Sequence, residues 1–425
     1  MKIYNNPDRA LWDELLKRPQ IDASIIQPRV TAILDAVRKE GDAALLRYAK
    51  EFDGSELDSL TVSEAETEDA VKATEPALAR AMEEAAQNIE AFHRAQAFPG
   101  IEVKIADGIT CSQRSVPIQR VGLYIPGGSA PLFSSVLMLA IPAKIAGCKE
   151  IVLCSPPNKE GKIAASILFA AKICGVTRII KAGGAQAIGA MAYGTETVPK
   201  VDKIFGPGNQ YVMAAKQQVS LFDTAIDMPA GPSEVLVMAD ETADPRFVAA
   251  DLLSQAEHGP DSQSILVTNS QAIAEAVEKE TAEQLKKLSR AGLAQKSVDN
   301  SRIFVLESVS NMIELANRYA AEHLIIAMKE AWNVADHITA AGSVFIGHYT
   351  PESAGDYASG TNHTLPTNGW AVSYSGVNLD SFMRKITYQE ITREGLRTLA
   401  PTIETMALAE GLDAHANAAR IRLEE

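Results

Sequence analysis

From residue 121 to 238 the chain alternates short apolar runs with helix-period segments, and this alternation constrains the fold more than any other feature. Val121-Gly-Leu-Tyr-Ile125, Ile151-Val-Leu-Cys154, Arg178-Ile-Ile-Lys181 and Val235-Leu-Val-Met238 have the length and apolar character of strands buried on both faces. Between the early ones lie a helix ending at Gly147 and helical segments at 164–173 and 185–193. Strand–helix–strand order at this spacing predicts a parallel sheet with right-handed crossovers. A second α/β unit follows, with a strand at 265–268, helices at 270–289 and 309–321, and buried strands at 324–328 and 343–346.

At 425 residues the chain is long enough for two or three cores. Its first part reads as helical at 11–17, 28–38 and 76–96, the last an amphipathic stretch carrying His93. The period then changes to two, with Val103, Ile105, Ile109 and Cys111 alternating around Asp107-Gly108, a hairpin signal. Residues 355–369, rich in Gly, Asn, Thr and Ser, are expected to form a long loop. The last fifty or so residues read as a helical tail, with helices at 403–409 and 414–420.

A formal charge of −14 argues against nucleic-acid binding, which needs a basic surface. No run of about 18 apolar residues predicts a membrane span, and the first residues lack the apolar core of a signal peptide. Cys111, Cys148, Cys154 and Cys174 have neither zinc nor redox spacing and read as buried free thiols. The expectation is a cytoplasmic, acidic, enzyme-sized protein.

Chemistry is concentrated in a few stretches. Asp251-Leu-Leu-Ser-Gln-Ala-Glu-His-Gly-Pro260 puts Gln255 and His258 on one face of a helix that Gly259 and Pro260 end. A carboxamide oxygen and an imidazole there could be half of a metal site. Glu322-His323, just before a buried strand, could be two proton-transfer groups or a satisfied helix-end pair. Asp356 and His363 bracket the Ser359-Gly-Thr-Asn-His363 segment, and Glu410 and His415 flank Gly411 in the tail. Among the other histidines, His93 reads as solvated surface, and His337 and His348 as structural. Gly127-Gly128, Gly183-Gly184 and Gly206-Pro-Gly-Asn209 follow strands or open helices and would let backbone amides approach a pyrophosphate. Together they favour a nucleotide, although no Gly-x-Gly-x-x-Gly fingerprint is present.

Taken as a whole, the chain resembles the histidinol dehydrogenase family, most strongly from residue 121 to 376. The carrying stretches are Gly122-Leu-Tyr-Ile-Pro-Gly-Gly-Ser-Ala130, Gly183-Gly-Ala-Gln-Ala-Ile188, Val201-Asp-Lys-Ile-Phe-Gly-Pro-Gly-Asn209 and Met228-Pro-Ala-Gly-Pro-Ser-Glu234. The Gln255/His258 run, Ala321-Glu-His323, Ser359-Gly-Thr-Asn-His363 and Glu410-Gly-Leu-Asp-Ala-His415 continue the match.

The resemblance implies two Rossmann-like, aldehyde-dehydrogenase-like α/β domains with parallel sheets and small terminal helical segments. The expected division is an arm at 1–22, a discontinuous first domain at 23–120 and 235–376, an inserted NAD-side domain at 121–234, and a tail at 377–425. It implies oxidation of L-histidinol to L-histidine through L-histidinaldehyde, with two NAD+ reduced, the last steps of histidine biosynthesis. Carried across by motif, one Zn2+ per subunit falls on Gln255, His258, Asp356 and His415, and catalysis on Glu322 and His323. Substrate contacts fall on Ser233, Gln255, His258, His323, Asp356, His363, Glu410 and His415, and NAD contacts on Tyr124, Gln186 and Asn209. The family's homodimer, in which each tail completes the other subunit's site, would put Glu410 and His415 in trans. The residues alone leave three alternatives open, a zinc hydrolase, a non-catalytic metabolite-binding module and a dehydrogenase of another amino alcohol.

Overall fold

A computed structural model describes residues 1–19, 23–127, 131–229 and 231–424; Gly128, Ser129 and Ala130 of the first glycine turn and Ala230 lie outside them. The chain opens on a short strand, β1 (Lys2–Asn5), and returns to strand structure in the hairpin β2 (Ile101–Ala106) and β3 (Ile109–Pro117). That hairpin turns at Asp107-Gly108 as its alternation predicts, with Gly108 at φ +72°.

Strands β4 (Arg120–Tyr124), β5 (Glu150–Ser155), β6 (Arg178–Lys181), β7 (Lys203–Phe205) and β8 (Ala225–Ile226) form a parallel five-stranded sheet in the order β6-β5-β4-β7-β8. Strands β9 (Glu234–Ala239), β10 (Gln263–Thr268), β11 (Arg302–Val305), β12 (His323–Ala327) and β13 (Ser343–Ile346) join β1 in a parallel six-stranded sheet, order β1-β11-β10-β9-β12-β13. Central strands of both sheets are covered by helices on each face, which is why they read as unbroken apolar runs.

The helices of residues 23–94 attach differently from the sequence-based division. The expected first domain joined 23–120 to the six-stranded sheet, but these helices cover the five-stranded one. Ala23–Glu40 packs on Gly184–Tyr193 and Gln210–Phe222, burying Val30, Leu34 and Val37 against Ile188 and Val219. On the other face Pro76–Arg94 packs on Phe133–Ala146 through Met82, Ala85 and Ile89. His93 continues that stripe and is fully buried, its Nδ1 2.8 Å from the Ile89 carbonyl and its Nε2 beside the Asn362 amide, not on the solvated surface. The arm is likewise more than helix, since β1 pairs with β11 and Trp12 and Leu16 enter the six-stranded sheet's core.

The tail holds two helices where two are expected, Arg393–Ala409, which starts well before the expected 403, and Asp413–Arg420, but they follow a nine-residue strand, β14 (Met383–Ile391). β14 pairs antiparallel with β3, extending the hairpin to the three-stranded sheet β14-β3-β2. No helix among the described residues is long and apolar enough to cross a membrane. Cys154 and Cys174 are buried free thiols, while Cys111 and Cys148 are half-buried.

Candidate active site

A cleft of about 420 Å3 lies between the two parallel sheets. One wall follows the C-terminal end of β7, where Gly206-Pro-Gly leads into Asn209, whose side-chain oxygen accepts from the Tyr211 and Val212 N–H groups and caps the helix Gln210–Phe222. Gly206 sits at φ +126°, and a Cβ there would lie 2.1 Å from the Tyr124 carbonyl oxygen, so no larger residue fits without movement. Beneath the turn, the Lys216 ammonium and Asp227 carboxylate form a buried pair at 2.5 Å. Lys216 donates to the Gly206 carbonyl, while Asp227 accepts from the Gly206 N–H. Tyr124 and Gln186 lie behind this wall and are buried; the Tyr124 hydroxyl accepts from the Gly184 N–H at 3.1 Å.

The opposite wall carries the charged groups. Gln255 ends the helix Pro245–Ala256, and His258 follows it, its N–H donating to the Gln255 carbonyl. Glu322 and His323 stand at the start of β12 and Ser233 just before β9. Asp356 is helical rather than in a loop: Glu352–Tyr357 forms a short helix before the irregular Ser359–Thr364 segment begins. All of these residues except Glu352 line the cleft, and His363 joins them, its Nδ1 2.9 Å from the Asp356 carbonyl and its Nε2 3.1 Å from Ser135 Oγ.

Glu352 is the member that sequence reasoning missed. Its signal was present, because it precedes Asp356 by four residues and shares a helical face with it. It is fully buried, and ligand atoms of His258, Glu352 and Asp356 lie within 4.8 Å of one another. With its amide turned so that each atom meets a complementary neighbour, Gln255 places its nitrogen 3.1 Å from Glu352 Oε2 and its oxygen 3.0 Å from the Glu234 N–H. His323 Nε2 lies 3.3 Å from Asp356 Oδ1, at an angle that leaves both atoms without a hydrogen bond although both are buried. Buried polar atoms left without hydrogen bonds are costly, and one of them, Asp356 Oδ1, belongs to the three convergent residues, which suits a bound cation.

Electrostatics agree with that reading. Burial pushes the Glu322 carboxyl up to about 8 against the opposing pull of the His323 cation. Burial also raises Glu352 well above the ordinary carboxylate range. At His323 burial disfavours the cation, but the carboxylates of Glu352, Glu322 and Asp356 outweigh it and move the imidazole up to about 10. Burial lowers His258 and His363, so both favour the neutral form that can ligate a metal.

Glu410 and His415 do not line the cleft of their own chain. Both are exposed on the tail, near the exposed apolar side chains Met406, Leu408 and Leu412.

Residues 16–423 match the family profile of histidinol dehydrogenase. The chain belongs to the histidinol dehydrogenase family. A histidinol dehydrogenase of Bacteroides fragilis is 58% identical over 425 residues, spanning all of this chain and 99% of the relative. One from Vibrio vulnificus is 52% identical over 426 residues and is covered over 98% of its length. The crystal structure of histidinol dehydrogenase from Elizabethkingia anophelis superposes with a TM-score of 0.97 at 51% identity, over 100% of this chain and 98% of that one. Membership in the histidinol dehydrogenase family makes the chain an oxidoreductase and ties it to histidine biosynthesis.

Proposed function

We propose that the cleft oxidises L-histidinol to L-histidine through L-histidinaldehyde, reducing two NAD+ and adding one water. The observation that carries this reading is the meeting of a cation-ready cluster, a buried Glu-His pair and a glycine-lined helix N-terminus in one cleft. Gln255, His258 and Asp356 would hold Zn2+ together with the partner subunit's His415. Bound zinc would anchor the substrate's imidazole and amino nitrogens, and two NAD+ bound in turn would each accept one hydride. Asn209 and the Gly206 turn, backed by Tyr124 and Gln186, would receive the dinucleotide.

The chain's own groups then move protons. His323 Nδ1 faces the Glu234 carbonyl at 3.3 Å, which leaves Nε2 to take the alcohol proton. Engagement of Asp356 by a cation would weaken the carboxylate field on His323 and make Nε2 available as a base. Glu322 takes a proton from the water that adds to the aldehyde, and His323 Nε2 serves again in the second oxidation. Ser233, His363 and the partner subunit's Glu410 would complete the substrate's surroundings. Closing a polar cleft around the aldehyde would also keep it from bulk water.

The deciding experiment is the absorbance of NADH formed when L-histidinol and NAD+ are added to zinc-loaded protein. The expected yield is two NADH per histidinol. No NADH from histidinol together with hydrolysis of an ester or amide substrate would instead identify a zinc hydrolase, and turnover of a different amino alcohol alone would relocate the substrate.

The exposed positions of Glu410 and His415 favour a homodimer with shared sites. Mixing inactive His323→Asn subunits with inactive His415→Ala subunits should restore part of the activity once subunits exchange. Failure despite demonstrated exchange would return His415 to its own chain's site or remove it from the metal shell.

A further inference from the structure

Glu234 touches three of the site's side chains through its own main chain. Its N–H approaches Glu322 Oε2 at 2.9 Å and the Gln255 amide oxygen at 3.0 Å. Its carbonyl lies 3.3 Å from His323 Nδ1. A carbonyl can only accept, so this contact selects the imidazole form with hydrogen on Nδ1 and directs Nε2 toward Asp356. An N–H can only donate, so it fixes one oxygen of the Glu322 carboxylate. The Glu234 N–H is free for these side chains because the β9–β12 pairing begins one residue later, with Val235 opposite His323.

The Glu234 side chain determines where this peptide sits. Its carboxylate is buried, a costly placement unless charge and hydrogen bonds are both met. Arg18, in the arm, meets it with two parallel bonds, Nε to Oε1 at 2.5 Å and Nη2 to Oε2 at 2.9 Å. The Asn368 N–H donates to Oε1 at 2.7 Å. The same guanidinium lies 4.1 Å from the centre of the Tyr319 ring and donates to the Tyr319 carbonyl at 2.6 Å. Tyr319 ends the helix Val309–Tyr319, three residues before Glu322. One arginine therefore ties together the segments that begin β9 and β12, the two strand starts that carry Ser233, Glu322 and His323.

We propose that Arg18, acting through Glu234, is a positioning residue for the Glu322–His323 pair, setting the orientation of both side chains. This rests on the catalytic assignment of that pair made above. A merely structural ion pair would contribute to stability and leave turnover alone. The inference predicts more: a planar, two-bond fork is needed, and a point charge at the same place is a poor substitute.

The test uses the full-length, zinc-loaded protein with Arg18→Ala and Arg18→Lys, each assayed well below its own melting temperature. Loss of a supporting partner behind an active-site group should lower kcat about 10–100-fold. KM for L-histidinol and zinc content should change little, because the metal ligands stay in place. Arg18→Lys should retain the fold and still lose much of the turnover, so it decides the matter if Arg18→Ala does not fold. Added guanidinium ion should restore part of kcat to Arg18→Ala. Wild-type kcat in Arg18→Lys, with only a lowered melting temperature, would overturn the positioning role. A wild-type protein that forms no NADH from histidinol would instead remove the functional reading, an outcome visible before any variant is made.

Discussion

The two parallel sheets meet the cleft with opposite ends. The five-stranded sheet presents the C-terminal end of β7 and, beyond the Gly206 turn, the start of the helix Gln210–Phe222. The six-stranded sheet presents the N-terminal ends of β9, β10 and β12, so its share of the cleft follows helix C-termini, at Gln255–His258 and at Tyr319–His323. Helix N-termini favour anions and helix C-termini favour cations, by about 0.3–1 kcal/mol each at exposed sites. The side chains reinforce this asymmetry, with glycines and a capping Asn on one wall and Glu322, Glu352 and Asp356 on the other. A fold built from two similar sheets thus makes one wall suited to a pyrophosphate and the other to a metal. Ligands in open α/β sheets usually gather at strand C-termini, and only the first sheet follows that rule.

If the walls divide the labour in this way, damage to one should spare the other. The largest effect is expected from His323→Asn on the charged wall. Loss of a general base should lower kcat about 10²–10⁴-fold. Binding of NADH, followed by its fluorescence, should remain at wild-type strength. Equal loss of both would show that the two walls act as one unit and would break the comparison.

The next effect concerns Glu352, which the family motif did not supply. Glu352→Gln keeps the shape of a buried group but removes its charge and replaces one of the two oxygens facing the Gln255 amide with a donor. Zinc affinity, measured by competition with a chelator, should fall about 10–100-fold, as for other residues that support metal ligands. An unchanged affinity would mean that Gln255 needs no such support.

How far these walls could be read in advance depends on where their signals lie along the chain. Strands buried on both faces declare themselves, as 151–154 does within β5 and 235–238 within β9, and 343–346 was legible to the residue as β13 although it is a partly exposed edge strand. β1 and β14 were not, because Lys2-Ile-Tyr-Asn5 is short and sits at a sheet edge, and β14 is largely exposed in a single chain. Whether the helices of residues 23–94 cover one sheet or the other leaves no local trace, since an amphipathic face looks the same against either. His93 was misjudged from its polar sequence neighbours although it continues the buried line of Met82, Ala85 and Ile89. In the site, Gln255 with His258 and Glu322 with His323 were legible as local pairs. Arg18 and Glu234 were not, because 216 residues separate them and neither forms a motif with the other. Local chemistry shows in sequence, while the contacts that aim it depend on the folded chain.

The smallest effect isolates the glycine-lined wall. Gly206→Ala places a Cβ 2.1 Å from the Tyr124 carbonyl at a φ of +126° that side chains rarely adopt. Either the turn moves away from β4 or the backbone changes region, at a strain on the order of 1–3 kcal/mol. The Asn209 cap and the helix start it opens would shift with the turn, so KM for NAD+ should rise about tenfold or more. Zinc content should not change, because the metal ligands on the opposite wall belong to other elements. The Lys216–Asp227 pair makes this variant informative, since it grips Gly206 from below at both its N–H and its carbonyl. A turn held this firmly should transmit the strain to the cofactor side rather than absorb it. An unaltered KM for NAD+ would therefore show that the dinucleotide does not rest on this turn, and would leave the anion-facing wall without its strongest structural element.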